Sequence, residues 1–269
     1  MKTRTSTAVV IILVSLFAAA CASGPRGTSR GETQAGGAGD LSGPPYAGEA
    51  KAKCSDLPSA GDLRQWLRSA PGVDGEAGGL YSGKMEWAAI VNRQGEICAA
   101  TASTEEPASV WPGSQSIAKA KAYTANAYST DVTALSTARL YTLTQPGHSL
   151  WGVGEPNPFR AECVVSPADS NATDGKVCGG SIAFGGGVPL YKGKTRVGGL
   201  GVSGDTACAD HEIAKRIRHL GGLDPEKGQF ADDIVYTSVD GSSPYAHPLC
   251  VNTWRNGQKL GDETPATSY

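Results

Sequence analysis

The chain of 269 residues is 39% apolar and 19% charged, with a formal net charge of −2 at pH 7. These values indicate one globular domain of ordinary size with appended sequence, and the absence of a basic cluster argues against a nucleic-acid partner. The 36 glycines and 16 prolines predict a body rich in turns.

The first 20 residues have the pattern of a bacterial signal peptide. Lys2 and Arg4 precede an apolar run, Ala8–Ala20, that is too short to span a bilayer comfortably. The ending FAAAC resembles a lipobox, which makes Cys21 the predicted site of lipidation, with Ala18 where Leu is usual. The alternative is ordinary cleavage after an A-x-A site, which gives a free periplasmic protein.

The segment 21–53 is predicted to be a flexible tether between the lipidated cysteine and a domain that spans residues 54–269. Gly, Ser, Pro and Thr dominate it, and its apolar residues are too few to form a core. No Asp follows Cys21, and by resemblance to known sorting rules this favours the outer membrane. We therefore predict a cell-envelope lipoprotein, anchored to the membrane through Cys21, that faces the periplasm or the cell surface.

The cysteines after Cys21 are even in number, which in an oxidising compartment predicts three disulfides. They are Cys54, Cys98, Cys163, Cys178, Cys208 and Cys250. Only the pair Cys163–Cys178, which would close a polar loop, is predicted from its local position, and the other pairings stay open. No C-x-x-C occurs, so the spacing does not indicate a zinc ribbon.

The first half of the domain is predicted to contain three helices and a β-hairpin. Apolar residues at helical spacing predict a helix over Ser59–Ala70. Two apolar runs around NRQGE predict a hairpin over Trp87–Ala102 with Gly95 in its turn. An Ala-rich stretch predicts a helix over Ser114–Ser129, and a second, weaker helix is predicted over Thr133–Gln145.

The second half begins with a long loop insertion, at about residues 146–180, and ends in a C-terminal extension. The stretch 181–204 predicts two or three strands joined by glycine turns, and Ala207–Gly221 predicts an amphipathic helix. Ile234–Val239 predicts a last short strand. Because the strands come in adjacent pairs, we expect an antiparallel sheet with helices packed on it, in the α+β class.

The run GLGVSG at residues 199–204 fits the G-x-G-x-x-G pattern of a dinucleotide-binding turn. A Rossmann unit needs a second parallel strand soon after the helix that follows such a turn. No strand follows the helix promptly, and the chain after Gly204 is too short for several more parallel strands, so the sequence argues against NAD binding. The glycines instead predict a sharp passage from a strand into a helix, where a Cβ would clash.

Three blocks carry a family resemblance: WAAIVNRQGEICAA, SIAKAKAYTANAYS and GGGVPLYKGKTRVGGLGVSGDTACADHEIA. In this order they resemble the signature of the GlcG/HbpS-like heme-binding family, with Asn92 where Asp is more usual. The likeness extends from about Met85 to Leu220. It implies an antiparallel five-stranded sheet of profilin-like type with helices on its faces, often assembled into homo-oligomers.

The resemblance also implies heme as a cofactor, which needs an apolar slot, an axial ligand and partners for its propionates. His148 and His247 are the predicted iron ligands, and for each the alternative is a structural histidine packed on an aromatic ring. Lys121 is the candidate propionate partner, and Tyr123 and Thr124 are candidates for the pocket wall.

Three polar residues in the last predicted helix are assigned structural rather than ligand-binding roles. His211 and His219 are predicted to lie on its solvated surface. Asp210 is predicted to cap its start, where a carboxylate interacts favourably with the helix dipole.

The leading hypothesis is therefore a cell-envelope protein that binds heme or a related tetrapyrrole for storage, delivery or sensing. The alternatives are a small-molecule lyase of the same family and a non-catalytic structural or interaction module. The matching blocks show no coherent acid–base or nucleophile set, so the sequence disfavours an enzyme.

Overall fold

The computed structural model describes residues 53–226 and 232–264. The predicted signal peptide, the lipidation site Cys21 and nearly all of the tether 21–53 lie outside these residues and stay predictions. The helices and strands are α1 (Ala60–Ser69), β1 (Trp87–Asn92), β2 (Ile97–Ala102), α2 (Gly113–Ala127), β3 (Gly187–Lys192), β4 (Thr195–Ser203), α3 (Ala207–Leu220), α4 (Thr237–Asp240), β5 (Thr253–Arg255) and β6 (Gln258–Gly261). Within these ranges, no helix combines the length and apolar character needed to cross a bilayer.

The first four strands form one antiparallel sheet in the order β2-β1-β4-β3. Side chains along β1 alternate between its two faces, as the period of a strand requires. Ala88 and Ile90 belong to the core with α1 and α3, whereas Trp87, Ala89 and Val91 belong to the core with α2. The sheet is therefore covered by helices on both faces.

Glycines of the GLGVSG run serve helix–sheet packing, which differs from the sharp passage from strand into helix that the sequence predicts for them. β4 lies so close to α2 that a Cβ on Gly201 would overlap the carbonyl of Ala118, and one on Gly199 would overlap the carbonyl of Ala122. Only glycine permits this approach of two backbones.

The α+β class is confirmed, but the sheet has four strands rather than the five that the resemblance implies. The predicted strand Ile234–Val239 does not form. Tyr236 makes only an isolated bridge to His247, and the chain then turns into α4. The short pair β5–β6, which the sequence analysis does not anticipate, forms a separate two-stranded sheet.

The predicted helix Thr133–Gln145 is wrong in type. The chain instead makes two 3₁₀ turns, Thr137–Leu140 and Thr142–Thr144. The Thr137 hydroxyl accepts the N–H of Gly187 at 2.8 Å and donates to the carbonyl of Phe184 at 2.7 Å. These long-range bonds outweigh the weak helical preference of a threonine-rich stretch.

The prediction of three disulfides is confirmed. Cys163–Cys178 pairs as its local position predicts, and the other two bonds are Cys54–Cys98 and Cys208–Cys250. Cys208–Cys250 joins the start of α3 to the segment that precedes β5, which we call the C-terminal segment (residues 232–252).

Candidate functional site

An open cavity of about 520 Å³ lies beside the C-terminal segment, and we call it the Tyr141 cleft. Its lining includes Tyr141, Thr142, Ala246, His247, Leu249 and Glu263. The two sides of the cleft are joined where the Thr142 hydroxyl donates to the carbonyl of Ala246 at 2.7 Å. The volume suits a small-molecule site, for which about 300–1,000 Å³ is usual.

His247 lies in the wall of this cleft and is only 3% exposed. Its Nδ1–H donates to the carbonyl of Pro248 at 2.7 Å, and its Nε2 accepts the N–H of Gly185 at 3.3 Å. Burial lowers the pKa of His247 to about 4, so the imidazole is neutral at pH 7. Both ring nitrogens are engaged, and the predicted role in iron ligation requires Nε2 to release Gly185.

Tyr141 is the residue in this cleft that the sequence analysis misses. Its ring is half-buried and lies 4.8 Å from the His247 ring, measured between centroids. A tyrosine oxygen is one of the axial ligands that proteins offer to heme iron. The sequence gives no signal for it, because Tyr141 falls inside the stretch predicted as a weak helix.

The structure does not bring the other predicted iron ligand into this cleft, since His148 is exposed in the loop insertion. Thr124 is buried and lines a second cavity of about 200 Å³. Its hydroxyl donates to the carbonyl of Ala120 at 2.8 Å and accepts the N–H of Ile182 at 3.0 Å. Tyr123 is half-buried and packs against the turn between β1 and β2.

Lys121 is fully buried in the core rather than at the surface of a helix. Its Nζ lies 2.6 Å from Oδ2 of Asp210 and donates to the carbonyl of Val202 at 2.9 Å. The ring of Phe184 covers the ammonium, 4.9 Å from its centroid. Pairing with a heme propionate therefore requires the Phe184 region to move, and that role stays a prediction.

The prediction that Asp210 caps α3 is wrong. Thr206 is the N-cap, and its hydroxyl accepts the N–H of Ala209 at 3.3 Å. The carboxylate of Asp210 faces inward, where Oδ1 accepts the N–H of Asp205 at 2.9 Å and Oδ2 meets Lys121. A buried cation, which the sequence pattern does not reveal, draws the carboxylate away from the helix start.

Glu86 completes this buried cluster of charged groups. Its side chain is fully buried, and neither carboxyl oxygen has a hydrogen-bond partner of normal geometry among the described residues. Burial raises the pKa of Glu86 well above its usual range, and the nearby carboxylates of Asp210 and Asp205 raise it further. Burial and the neighbouring carboxylates therefore favour the neutral form of the Glu86 carboxyl group, which lies next to an ion pair.

The prediction of a solvated surface is wrong for His211, which is fully buried, whereas His219 is exposed and pairs with Asp224 at 2.7 Å. Nδ1 of His211 lies 3.5 Å from the N–H of Gly186, and Nε2 lies 3.7 Å from Oδ1 of Asp233. The C-terminal part of the chain covers this side of α3, so a helical pattern in the sequence underestimates its burial.

A glycine loop, defined here as Phe184–Gly187, separates the Tyr141 cleft from the Lys121–Asp210 pair. Three side chains accept its successive N–H groups: His247 for Gly185, His211 for Gly186 and Thr137 for Gly187. A Cβ on Gly186, which has φ +115°, would overlap the Lys121 ammonium. The loop is thus held on its cleft side by side chains and packs tightly on the ion pair.

Comparison with known proteins finds one family whose model matches part of this chain. The model of a family described as haem-degrading protein, HbpS-like, matches residues 82–218, about half of the chain. The matched range contains the sheet, α2 and most of α3, whereas much of the Tyr141 cleft is built from residues beyond it. Among proteins of curated function, none matches the sequence.

Solved structures give weaker likenesses. The Klebsiella pneumoniae protein ORFY is 19% identical, with 61% of this chain and 87% of that chain covered and a TM-score of 0.42. A PduOC–heme complex is 22% identical, with coverage of 62% and 96% and a TM-score of 0.43. HbpS is 17% identical, with coverage of 61% and 89% and a TM-score of 0.38. Scores this low add nothing to the family match.

Proposed function

Because the chain belongs to the HbpS-like family, we propose that it binds heme or a related tetrapyrrole in the Tyr141 cleft. The observation that carries the proposal is the cleft itself. It combines a volume of about 520 Å³ with a tyrosine and a neutral histidine whose rings lie 4.8 Å apart. A pocket with apolar walls and a few oriented polar groups is typical of a cofactor site.

The residues of the cleft fit part of what heme requires. Ala246, Pro248 and Leu249 provide an apolar wall, and the Tyr141 oxygen is a suitable axial ligand. His247 is the second candidate once Nε2 releases Gly185. The described lining contains no Lys or Arg, so the propionates would extend through the open mouth into solvent. Bound heme would supply iron-centred ligand binding or electron transfer.

The location in the cell belongs to the same proposal. A signal peptide at residues 1–20, a lipid on Cys21 and a tether up to residue 53 would hold the domain at the outer membrane, for heme storage, delivery or sensing. The three disulfides support an oxidising compartment. Assembly into homo-oligomers is part of the proposal, and light scattering on the purified protein tests it.

A hemin titration of the purified, disulfide-bonded protein tests heme binding. We expect saturable binding of one hemin per chain with a Soret band. Tyr141→Phe should remove the ligand oxygen but keep the ring, and should weaken binding about tenfold or more. His219→Ala, on an exposed histidine, is the matched control and should bind as the parent does.

His247→Gln and His148→Ala in the same titration separate the two predicted iron ligands. A non-saturating response of the parent protein contradicts the proposal, and equal binding by the parent and Tyr141→Phe contradicts the assignment of the ligand. Adding a reductant to the hemin complex and following the decay of the Soret band tests for the heme degradation that the family description names.

A further inference from the structure

One buried trio of side chains has a composition typical of a metal site. The sulfurs of Cys208 and Cys250 and a ring nitrogen of His247 all lie within 4.8 Å of one another, and all three residues are buried. In this structure the two sulfurs are bonded to each other, so they cannot act as thiolates. Reduction of that one bond would leave two thiols and an imidazole converging on one point.

The protein environment favours thiolate at this pair. Cys208 is the second residue of α3, and its N–H donates to the sulfur of Cys250 at 3.1 Å. An N–H group and the positive end of a 14-residue helix both stabilise negative charge on sulfur. A disulfide whose thiolates are stabilised is more readily reduced than one without such help.

The three ligand-bearing residues are also held in place without the disulfide. The N–H of Cys250 donates to the Thr253 hydroxyl at 2.7 Å, and that hydroxyl donates back to the Cys250 carbonyl at 2.8 Å. Cys208 is fixed by α3, and the N–H of His247 donates to the carbonyl of Val235 at 2.7 Å. Reduction therefore removes a covalent bond from a framework that hydrogen bonds still support.

The position of the trio distinguishes it from the other two disulfides. His247 and the residues between it and Cys250 line the Tyr141 cleft, which gives an ion a route from solvent. Among the described residues, the trio is the one group of three metal-ligating side chains that converge in this way. Cys163–Cys178 lies in an apolar core with Trp87 and Val110. Cys208 and Cys250 also lie in an apolar cluster, so the converging ring nitrogen of His247 is what sets this pair apart.

We propose that reduction of Cys208–Cys250 creates a Cys₂His site for a thiophilic divalent cation such as Zn²⁺. This inference goes beyond heme binding and concerns the reduced state of the protein. A protein or small-molecule dithiol supplies two electrons and two protons and becomes a disulfide, while the bond between Cys208 and Cys250 breaks to give two thiols. The cation then displaces both thiol protons.

The geometry suits such a site after small side-chain rotations, once His247 gives up one of its two ring hydrogen bonds to free a ligand nitrogen. The Cα atoms of Cys208 and Cys250 are 5.9 Å apart. Tetrahedral coordination, with Zn–S distances of about 2.3 Å, needs the sulfurs about 3.8 Å apart. Three protein ligands leave a fourth position for water or for a small molecule from the cleft.

Co²⁺ reports directly on the ligands, because thiolate coordination gives charge-transfer absorption in the near ultraviolet and tetrahedral geometry gives strong visible bands. The protein is reduced with a phosphine, which does not itself supply thiols, and is titrated with Co²⁺ without oxygen. We expect one Co²⁺ per chain with both signatures, displaced by Zn²⁺, and no such spectrum before reduction.

Variants identify the ligands. Cys208→Ser/Cys250→Ser should abolish the spectrum, whereas the matched pair Cys163→Ser/Cys178→Ser should keep it. His247→Gln should weaken Co²⁺ binding about tenfold or more. The proposal is overturned if the reduced protein with native near-ultraviolet circular dichroism binds no Co²⁺, if reduction abolishes that native signal, or if Cys208→Ser/Cys250→Ser gives the parent spectrum. The hemin titration uses the oxidised protein, so the two tests fail independently.

Discussion

Two lysines on α2, Lys119 and Lys121, are both fully buried and differ in almost every other respect. Lys121 is paired with Asp210 at 2.6 Å, whereas the Lys119 ammonium donates to the side-chain oxygen of Gln115 at 3.3 Å. Burial lowers the pKa of Lys119 to about 8. The same residue type, two positions apart on one helix, is thus an ion-pair partner on one face and a poorly compensated charge on the other.

The difference shows that burial alone does not determine the role of a charged residue. On the Lys121 face, the ammonium is paired with the Asp210 carboxylate, and the neighbouring Glu86 is favoured in its neutral form. On the Lys119 face, Asp174 is the carboxylate among the described residues that opposes the burial cost, and that carboxyl group is itself partly buried, which raises its pKa. Removing one charge of the Lys121–Asp210 pair should destabilise the fold, whereas removing the charge of Lys119 should stabilise it.

Lys121→Met gives the largest expected effect, because it leaves the Asp210 carboxylate buried without its partner. We expect the free energy of unfolding to fall by about 3–5 kcal/mol, measured by urea denaturation. The double variant Lys121→Met/Asp210→Asn removes both charges and should recover most of that loss. A double variant no more stable than the single one would show that the pair acts through packing rather than charge.

Lys119→Met should change the free energy of unfolding in the opposite direction and by a smaller amount. Because the folded-state pKa is below the unfolded value, the charge of Lys119 opposes folding at pH 7, and this cost disappears as the pH rises above about 8. We expect the variant to be more stable than the parent by about 1–3 kcal/mol at pH 7. The difference in the free energy of unfolding between variant and parent should narrow at pH 9.5. A difference independent of pH would assign the gain to packing alone.

Glu86→Gln should give the smallest effect of the three and tests the neutral member of the Lys121 face. A raised folded-state pKa makes the contribution of Glu86 fully present below the unfolded pKa of about 4.5, and lost as the pH rises. The free energy of unfolding of the uncharged variant should therefore equal that of the parent at pH 4 and be modestly higher at pH 7. Equal destabilisation at both pH values would assign the effect to packing, and destabilisation that is larger at pH 7 than at pH 4 would mean that Glu86 is ionised in the fold.

Local patterns in the sequence were sufficient for much of the HbpS-like core. Ser59 and Asp62 cap α1 reciprocally, and Gly95 turns the first hairpin with φ +85°, so both elements are visible in a short stretch of residues. The start of α3 at Ala207 is also predicted correctly, although the residue that caps it is Thr206 rather than Asp210. Such signals act within a few residues of each other and need no knowledge of the rest of the chain.

The candidate site depends instead on contacts between distant residues. Tyr141 meets His247 across more than a hundred positions, and His211 is buried because a later segment covers it. The sequence predicts Lys121 as a propionate partner and Asp210 as a helix cap, and only the packing of the two helices around β4 shows that they pair. Composition and periodicity carry no information about such pairs, so the sequence predicts both His148 and His247 as iron ligands although only His247 lines the cleft.

The way the glycine loop is held has a further consequence. The lone pair on Nε2 of His247 accepts the N–H of Gly185, and a lone pair serves one partner at a time. Iron, another metal ion or a proton at that nitrogen therefore competes directly with the backbone of the loop. Gly186, the next glycine of the loop, packs on Lys121. Binding at His247 and the strength of the Lys121–Asp210 ion pair are therefore thermodynamically linked.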